Sequence, residues 1–133
     1  MENEVRFVII GGRAVQFYGH QRPAPDLDLF VEFSAENWIR LGSALRPLNA
    51  GIPRFDELSA KKKYQAKLRF YPTVEFLTAI HGVSFDEAWA DGVERIVVEL
   101  PLRIISKAHL IVSKKTGARA TDANDIKALE ALS

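Results

Sequence analysis

Two aspartates in an alternating stretch are the residues whose types and spacing point most directly to chemistry. Asp26 and Asp28 alternate with Leu27 and Leu29. In a strand, successive side chains point to opposite faces, so both carboxylates would lie on one face and both leucines on the other. Two carboxylates this close repel each other unless a cation compensates them, and hard divalent cations prefer oxygen ligands. The pattern therefore indicates a site for a divalent metal ion.

A pair of glycines precedes the aspartates. Gly11 and Gly12 follow a continuous apolar run at residues 7–10, which predicts a buried strand, and a helix is predicted over residues 13–20 with Gly19 as its C-cap. Unpaired backbone N–H groups and the positive end of the helix dipole favour a phosphate at such a helix N-terminus. The Lys-Ser/Thr ending of a P-loop is missing, which disfavours a P-loop NTPase. Alternatively, the glycines only permit close packing of the helix on the strand.

Length and composition limit the classes of protein that fit. The 133 residues predict one domain, and 18 basic against 17 acidic residues leave a net charge of +1, so no global charge indicates a polyanion binder. Cysteine is absent, which excludes disulfides and thiolate metal sites. Because no apolar run is long enough to span a bilayer, we expect a cytoplasmic protein that does not bind a membrane.

The remaining elements must support this stretch. Ser34 is a predicted N-cap for a helix over residues 35–48, and a strand or hairpin is predicted over residues 65–79, where alternation places Glu75 on the polar face. Further predicted elements are a helix at 84–91, a β segment at 93–102, a helix at 106–115 and a last helix capped by Thr121. The basic run at residues 61–63 fits either a solvated turn or a contact with a phosphate backbone.

The early stretch resembles the signature of the nucleotidyltransferase-fold superfamily. The matching residues are Gly11 and Gly12, thirteen intervening residues, and then Asp-Leu-Asp-Leu from Asp26. Within that superfamily the chain is most similar to the small bacterial group of minimal nucleotidyltransferases and abortive-infection type toxins. The resemblance implies a polymerase-β-like fold of the α/β (α+β) class, with a small mixed sheet flanked by helices in a single nucleotidyltransferase-like domain at residues 1–133.

The resemblance also implies an activity. Family members transfer a nucleoside monophosphate from a triphosphate such as ATP to a hydroxyl group, using carboxylates that hold Mg²⁺ or Mn²⁺. The corresponding catalytic and metal-binding residues here are Asp26, Asp28 and Glu75, and Glu75 stands where aspartate is more usual in the family.

A nucleotide-binding set follows from the same resemblance: Gly11, Gly12, Arg13, Arg22, Lys114 and Arg119. Arg22 begins the family's Arg-x-Thr-x-Asp pattern, but Ala24 replaces the threonine. Near the C-terminus, Lys114 and Arg119 precede Asp122 in a Lys, Arg, Asp-x-x-Asp order that family members share. By that analogy Lys114 and Arg119 either face the phosphates or pair with Asp122, and the sequence leaves both arrangements open.

The expected partners are a nucleoside triphosphate and an acceptor, for which a protein hydroxyl and an RNA end rank equally and a small molecule is chemically open. Minimal family members often depend on a cognate partner protein, which implies a toxin-antitoxin or phage-defence context. The alternative is a catalytically inactive nucleotidyltransferase-fold module for nucleotide binding or protein interaction. Ala24 and Glu75 favour that alternative, whereas the intact Asp26 and Asp28 oppose it.

Overall fold

A computed structural model describes residues 5–48, 52, 54–58, 65–68, 73–97, 100–117 and 120–131. Strands and helices are interspersed along the chain, which confirms the predicted α/β (α+β) class. In order, the elements are β1 (Phe7–Ile10), α1 (Gly11–Phe17), β2 (Leu27–Val31), α2 (Ala35–Leu45) with a 3₁₀ turn (Arg46–Leu48), α3 (Phe55–Leu58), β3 (Gln65–Leu68), β4 (Val74–Leu77), α4 (Phe85–Ala90), β5 (Val93–Val97), β6 (Leu100–Ile104), α5 (Lys107–Gly117) and α6 (Ala120–Ala131).

The strands form one mixed sheet in the order β3-β4-β2-β1-β6-β5. At its centre, β1 and β2 are antiparallel, whereas β2 and β4 are parallel, as are β1 and β6. The antiparallel pairs β3–β4 and β5–β6 form the two edges of the sheet. Parallel neighbours require a crossover connection, and α2 lies in the connection between β2 and β4. The predicted small mixed sheet flanked by helices is therefore confirmed.

Helices cover the sheet on both faces, with a hydrophobic cluster on each side. The α2 cluster consists of Val31, Trp38, Leu41, Leu45 and Phe76. The larger cluster joins β1, β2 and β6 to α1, α4, α5 and α6, and its fully buried members include Val8, Val15, Phe30, Ala88, Ile105 and Leu129. Helix α2 begins as predicted, because the Ser34 side chain accepts a hydrogen bond from the backbone N–H of Asn37 at 3.2 Å.

Within β2, Asp28 and Leu29 lie on opposite faces, as predicted. Leu29 packs on the α2 side of the sheet. Phe30 lies two residues beyond Asp28 and therefore on the same face, where it is only 1% exposed. On this face of β2, the carboxylate of Asp28 is thus followed directly by the hydrophobic core at Phe30. The acidic residues lie at the border of the core.

Several element boundaries differ from the predictions. Helix α1 begins at Gly11 and ends at Phe17, so both glycines lie within its first turn, and Gly19 follows the end of the helix with a φ of +107°. The β segment predicted over 93–102 is a hairpin of two strands. The prediction of Thr121 as an N-cap is wrong, because α6 already begins at Ala120. In the part of the chain that the structure describes, no helix is long and apolar enough to cross a membrane.

Candidate active site

Two carboxylates of the predicted catalytic set that are far apart in the sequence lie directly opposite each other. In the parallel pairing of β2 with β4, Asp28 is in register with Glu75, so both side chains point to the same face of the sheet. Asp26 immediately precedes β2. There the backbone N–H of Leu27 donates to the carbonyl of Thr73 at 2.8 Å, which aligns the starts of the two strands. The fold therefore brings the three predicted acids to one end of β2 and β4.

Gly11 lies against this end of the sheet. Its predecessor Ile10 pairs with Asp28 across β1 and β2. A Cβ on Gly11 would overlap the Asp28 carboxylate, and the φ of +71° at Gly11 is strained for any residue with a side chain. The Asp28 carboxylate therefore lies against the first residue of α1.

The donor set fits a magnesium-type ion only in part. Among the described residues, no three His, Cys, Asp or Glu side chains converge closely enough to hold a metal. Asp28 and Glu75 also have interactions with other residues of the protein. As a pair, however, they match Mg²⁺, which commonly binds one or two protein carboxylates and completes its shell with water and phosphate oxygens. The site is a two-carboxylate pair with Asp26 beside it.

The loop before Asp26 is attached to α1 by side chains of that helix. Arg13 donates from Nε to the carbonyl of Ala24 at 3.2 Å and from Nη2 to that of Pro25 at 3.4 Å. Gln16 donates from Nε2 to the carbonyl of Arg22 at 2.6 Å. Arg13, predicted to bind nucleotide, thus holds the backbone that leads into the acidic strand.

Arg22 lies over the second glycine. A Cβ on Gly12 would be 3.1 Å from Nη2 of Arg22 and 3.2 Å from its Cζ, so the guanidinium packs closely on this glycine. Nη1 donates to the carbonyl of Pro23 at 2.8 Å, and Nη2 donates to Oδ2 of Asp125 at 3.1 Å. Nε is 2.9 Å from Oδ1 of Asp125, but this second approach is not aligned as a hydrogen bond.

Behind Arg22 lies a buried ion network formed by Arg22, Asp125, Lys114 and Asp122. Asp125 is 1% exposed, and Nζ of Lys114 lies 3.0 Å from its Oδ2. The same Nζ donates to Oδ1 of Asp122 at 3.1 Å. Of the two arrangements left open for Lys114, the structure has the pairing with Asp122, extended to Asp125. Arg119 and the basic run at residues 61–63 lie outside the described residues.

The role of Asp125 in this network was missed from the sequence. Its contact with Arg22 joins residues 103 positions apart. A local signal was present, because Asp122, Asp125 and Leu129 recur at helical spacing and all three are buried. Since acidic residues are almost never fully buried without a partner, acids on the apolar face of a helix indicate a cation opposite them.

On its other side, Arg22 lines a cavity of about 570 Å³ between its own loop and α6. The α6 wall includes Asn124, Lys127 and Ala128, and the loop contributes His20, whose Nε2 is 3.7 Å from Oδ1 of Asp125. Arg22 therefore separates this cavity from Gly12.

Comparison with known proteins supports the fold through structure rather than sequence. No protein-family model matches the chain, and no curated protein matches it. A solved structure does match, that of the lincosamide antibiotic adenylyltransferase LnuA with lincomycin bound. The superposition has a TM-score of 0.61 with 18% sequence identity and covers 97% of this chain and 88% of that chain. The chain therefore has the fold of a nucleotidyltransferase, as its glycine turn and acidic strand predicted.

Proposed function

We propose that the protein transfers a nucleoside monophosphate from a nucleoside triphosphate to a hydroxyl acceptor. The observation that carries this proposal is the pairing of Asp28 with Glu75 on neighbouring strands, with the Asp28 carboxylate against Gly11. Two carboxylates at the border of a hydrophobic core, beside a glycine at the start of a helix, suit a substrate that combines phosphates with a divalent cation.

In the proposed reaction, the acceptor oxygen attacks the α-phosphorus of the triphosphate. A new P–O bond forms, the bond from the α-phosphorus to the α,β-bridging oxygen breaks, and pyrophosphate leaves. A carboxylate of the site takes up the hydroxyl proton. Mg²⁺ or Mn²⁺, when held by Asp28 and Glu75 with Asp26 beside them, would act as a Lewis acid and neutralise phosphate charge. The protein mainly positions the reactants, because phosphoryl-type transfer requires little covalent chemistry from side chains.

The phosphates would lie against the glycine turn. The first backbone N–H groups of a helix have no acceptor within the helix, so those of Gly11 and Gly12 would donate to the phosphates. The guanidinium of Arg22 adds positive charge directly beside Gly12. Arg13 and Lys114 would contribute by holding the loop and the buried network, respectively. Arg119 remains a predicted phosphate ligand from the sequence resemblance.

For the acceptor we propose only a chemical class, a compound that carries a hydroxyl group. The matched structure is an antibiotic adenylyltransferase with lincomycin bound, which supports a small molecule beside the protein and RNA acceptors expected from the sequence. A cognate partner protein and a toxin-antitoxin context are proposed from the sequence resemblance alone.

The proposal is tested by thermal unfolding with each of the four ribonucleoside triphosphates, with and without Mg²⁺ or Mn²⁺. A ligand at about 100 times its dissociation constant adds about 2.7 kcal/mol, which raises the unfolding midpoint by several degrees. We expect stabilisation by triphosphate plus metal in the parent and in Asp86→Asn, an exposed acid on α4, but not in Asp28→Asn. Equal shifts in Asp28→Asn and in the parent would contradict the proposed site.

A second candidate is a nucleotide-binding module without catalysis. The absence of a three-acid cluster among the described residues, and Ala24 in place of a hydroxyl residue, favour it. Incubation with α-labelled triphosphate, metal and a panel of protein, RNA and small-molecule acceptors distinguishes the two. Transfer of label supports the enzyme, whereas metal-independent binding without transfer supports the module.

A further inference from the structure

We infer that Asp125 is a positioning residue that fixes the Arg22 guanidinium against the glycine turn, and that nucleotide affinity depends on this contact. The inference rests on the proposed function, since it assigns Asp125 a part in binding the triphosphate. Asp125 lies on α6, remote in sequence from the glycine turn and acidic strand, and contacts Arg22 beside that turn.

The geometry limits how Arg22 can move. Its Nη1 is bound to the carbonyl of Pro23 and its Nη2 to Asp125, so two directions of the planar guanidinium are fixed. Gly12 provides the surface on which that plane rests. Without Asp125, the hydrogen bond to the neighbouring Pro23 and the packing on Gly12 would remain, and the guanidinium would lose the contact that ties it to α6.

The burial of Asp125 requires compensation by more than one cation. A carboxylate that is 1% exposed is costly unless it is paired, and here Arg22 and Lys114 both approach it. Lys114 also binds Asp122, so both acids contact Lys114, and Asp125 contacts Arg22 as well. Substitutions of Asp122 and of Asp125, two acids of the same network, can therefore be compared as a matched pair.

Two roles for Asp125 predict opposite effects on triphosphate binding. If Asp125 acted only as a negative charge near the site, its removal would strengthen the binding of an anion. If it positions Arg22, removal weakens binding although the local charge becomes more positive. The sign of the change therefore decides between the roles.

The experiment measures the dissociation constants of ATP, GTP, CTP and UTP with Mg²⁺ by calorimetry for Asp125→Asn and Asp122→Asn. We expect Asp125→Asn to weaken binding about tenfold, the scale of coupling within one ion network, and Asp122→Asn to change it by less than about twofold. Unchanged or tighter binding by a folded Asp125→Asn protein would overturn the inference.

A double-mutant cycle that combines Asp125→Asn with Arg22→Gln tests whether Asp125 affects nucleotide binding through Arg22. Because Asp125 acts through Arg22, the double variant should bind no more weakly than Arg22→Gln alone, whereas additive losses would overturn the inference.

If Asp125→Asn does not fold, Arg22→Lys replaces it: Arg22 is partly exposed, and lysine keeps the charge but loses the fixed plane. Unweakened binding by Arg22→Lys would again overturn the inference. If the parent protein binds no triphosphate, the proposed function itself fails, which separates the two outcomes.

Discussion

The carboxylate of Asp28 occupies the space beside Gly11 that a Cβ would need in any other residue. Gly11 also has a positive φ, so two independent constraints exclude a side chain at this position. The start of α1 and the acidic end of β2 are therefore matched in shape. Any change that moves one of them displaces the other.

Gly11→Ala should damage both folding and nucleotide binding. The left-handed backbone costs an alanine about 1–2 kcal/mol, and the new Cβ must displace the Asp28 carboxylate. Gly42→Ala is the control, because Gly42 lies in α2 and a Cβ there would meet only Ile52 at 4.0 Å. Urea unfolding should show Gly42→Ala gaining about 0.5–1 kcal/mol from helix propensity. Equal effects of the two substitutions would contradict the proposed contact.

Glu75 should be required for its charge rather than for its packing. Glu75→Gln keeps the size of the side chain, and we expect it to lower nucleotidyl transfer by about 100-fold or more, as when one transition-state-stabilising group is lost. Glu75→Asp retains the carboxylate and should keep part of the activity. Labelled transfer assays check the rates, and unfolding midpoints show whether folding is preserved. If Glu75→Gln transferred nucleotide at the rate of the parent protein, Glu75 would have no role in the active site.

Local sequence patterns predicted the centre of the fold but not its long-range polar contacts. The alternation in β2 placed Asp28 and Leu29 on opposite faces because strand geometry has a fixed period. The register of β2 with β4 sets Glu75, the third acid indicated by the family resemblance, against Asp28. The pairing of Arg22 with Asp125 could not be predicted in the same way, because it depends on how α6 packs rather than on a local repeat. Helix ends were also inexact, since they depend on capping contacts and frayed turns.

Lys114 should be essential for stability. Lys114→Met leaves Asp122 and Asp125 buried without their shared cation, and breaking a buried ion pair in this way costs about 3–5 kcal/mol. Its neighbour Lys115 is exposed and pairs with Glu130 at 3.1 Å, so Lys115→Met should cost less than about 1 kcal/mol. Urea unfolding of both variants measures the difference. Similar costs for the two would mean that the buried network adds no stability of its own.

Tyr18 should link stability to alkaline pH. Its hydroxyl donates to the carbonyl of Ile105 at 2.7 Å, and burial raises the pKa of Tyr18 above its ordinary value of 10.0. The folded state therefore favours the neutral phenol, so this contribution is full below the unfolded pKa and is lost as pH rises through the folded pKa. Tyr18→Phe should cost about 1 kcal/mol at neutral pH for the lost hydrogen bond.

Thermal unfolding at neutral and strongly alkaline pH checks both parts of the Tyr18 prediction. The parent should lose more stability than Tyr18→Phe over this range, because the variant has no phenol to ionise at this position. An identical alkaline loss in the two proteins would show that other groups determine it.

The separation of Arg22 from Asp125 by 103 residues also bears on when the site matures during synthesis. A nascent chain that has reached β4 already contains both strands that bring Asp28 to Glu75, but a domain generally folds as one unit. The guanidinium beside Gly12 acquires its anchor only after residue 125 has been added. The proposed nucleotide affinity therefore requires the whole chain through α6, so the site is complete only near the end of synthesis.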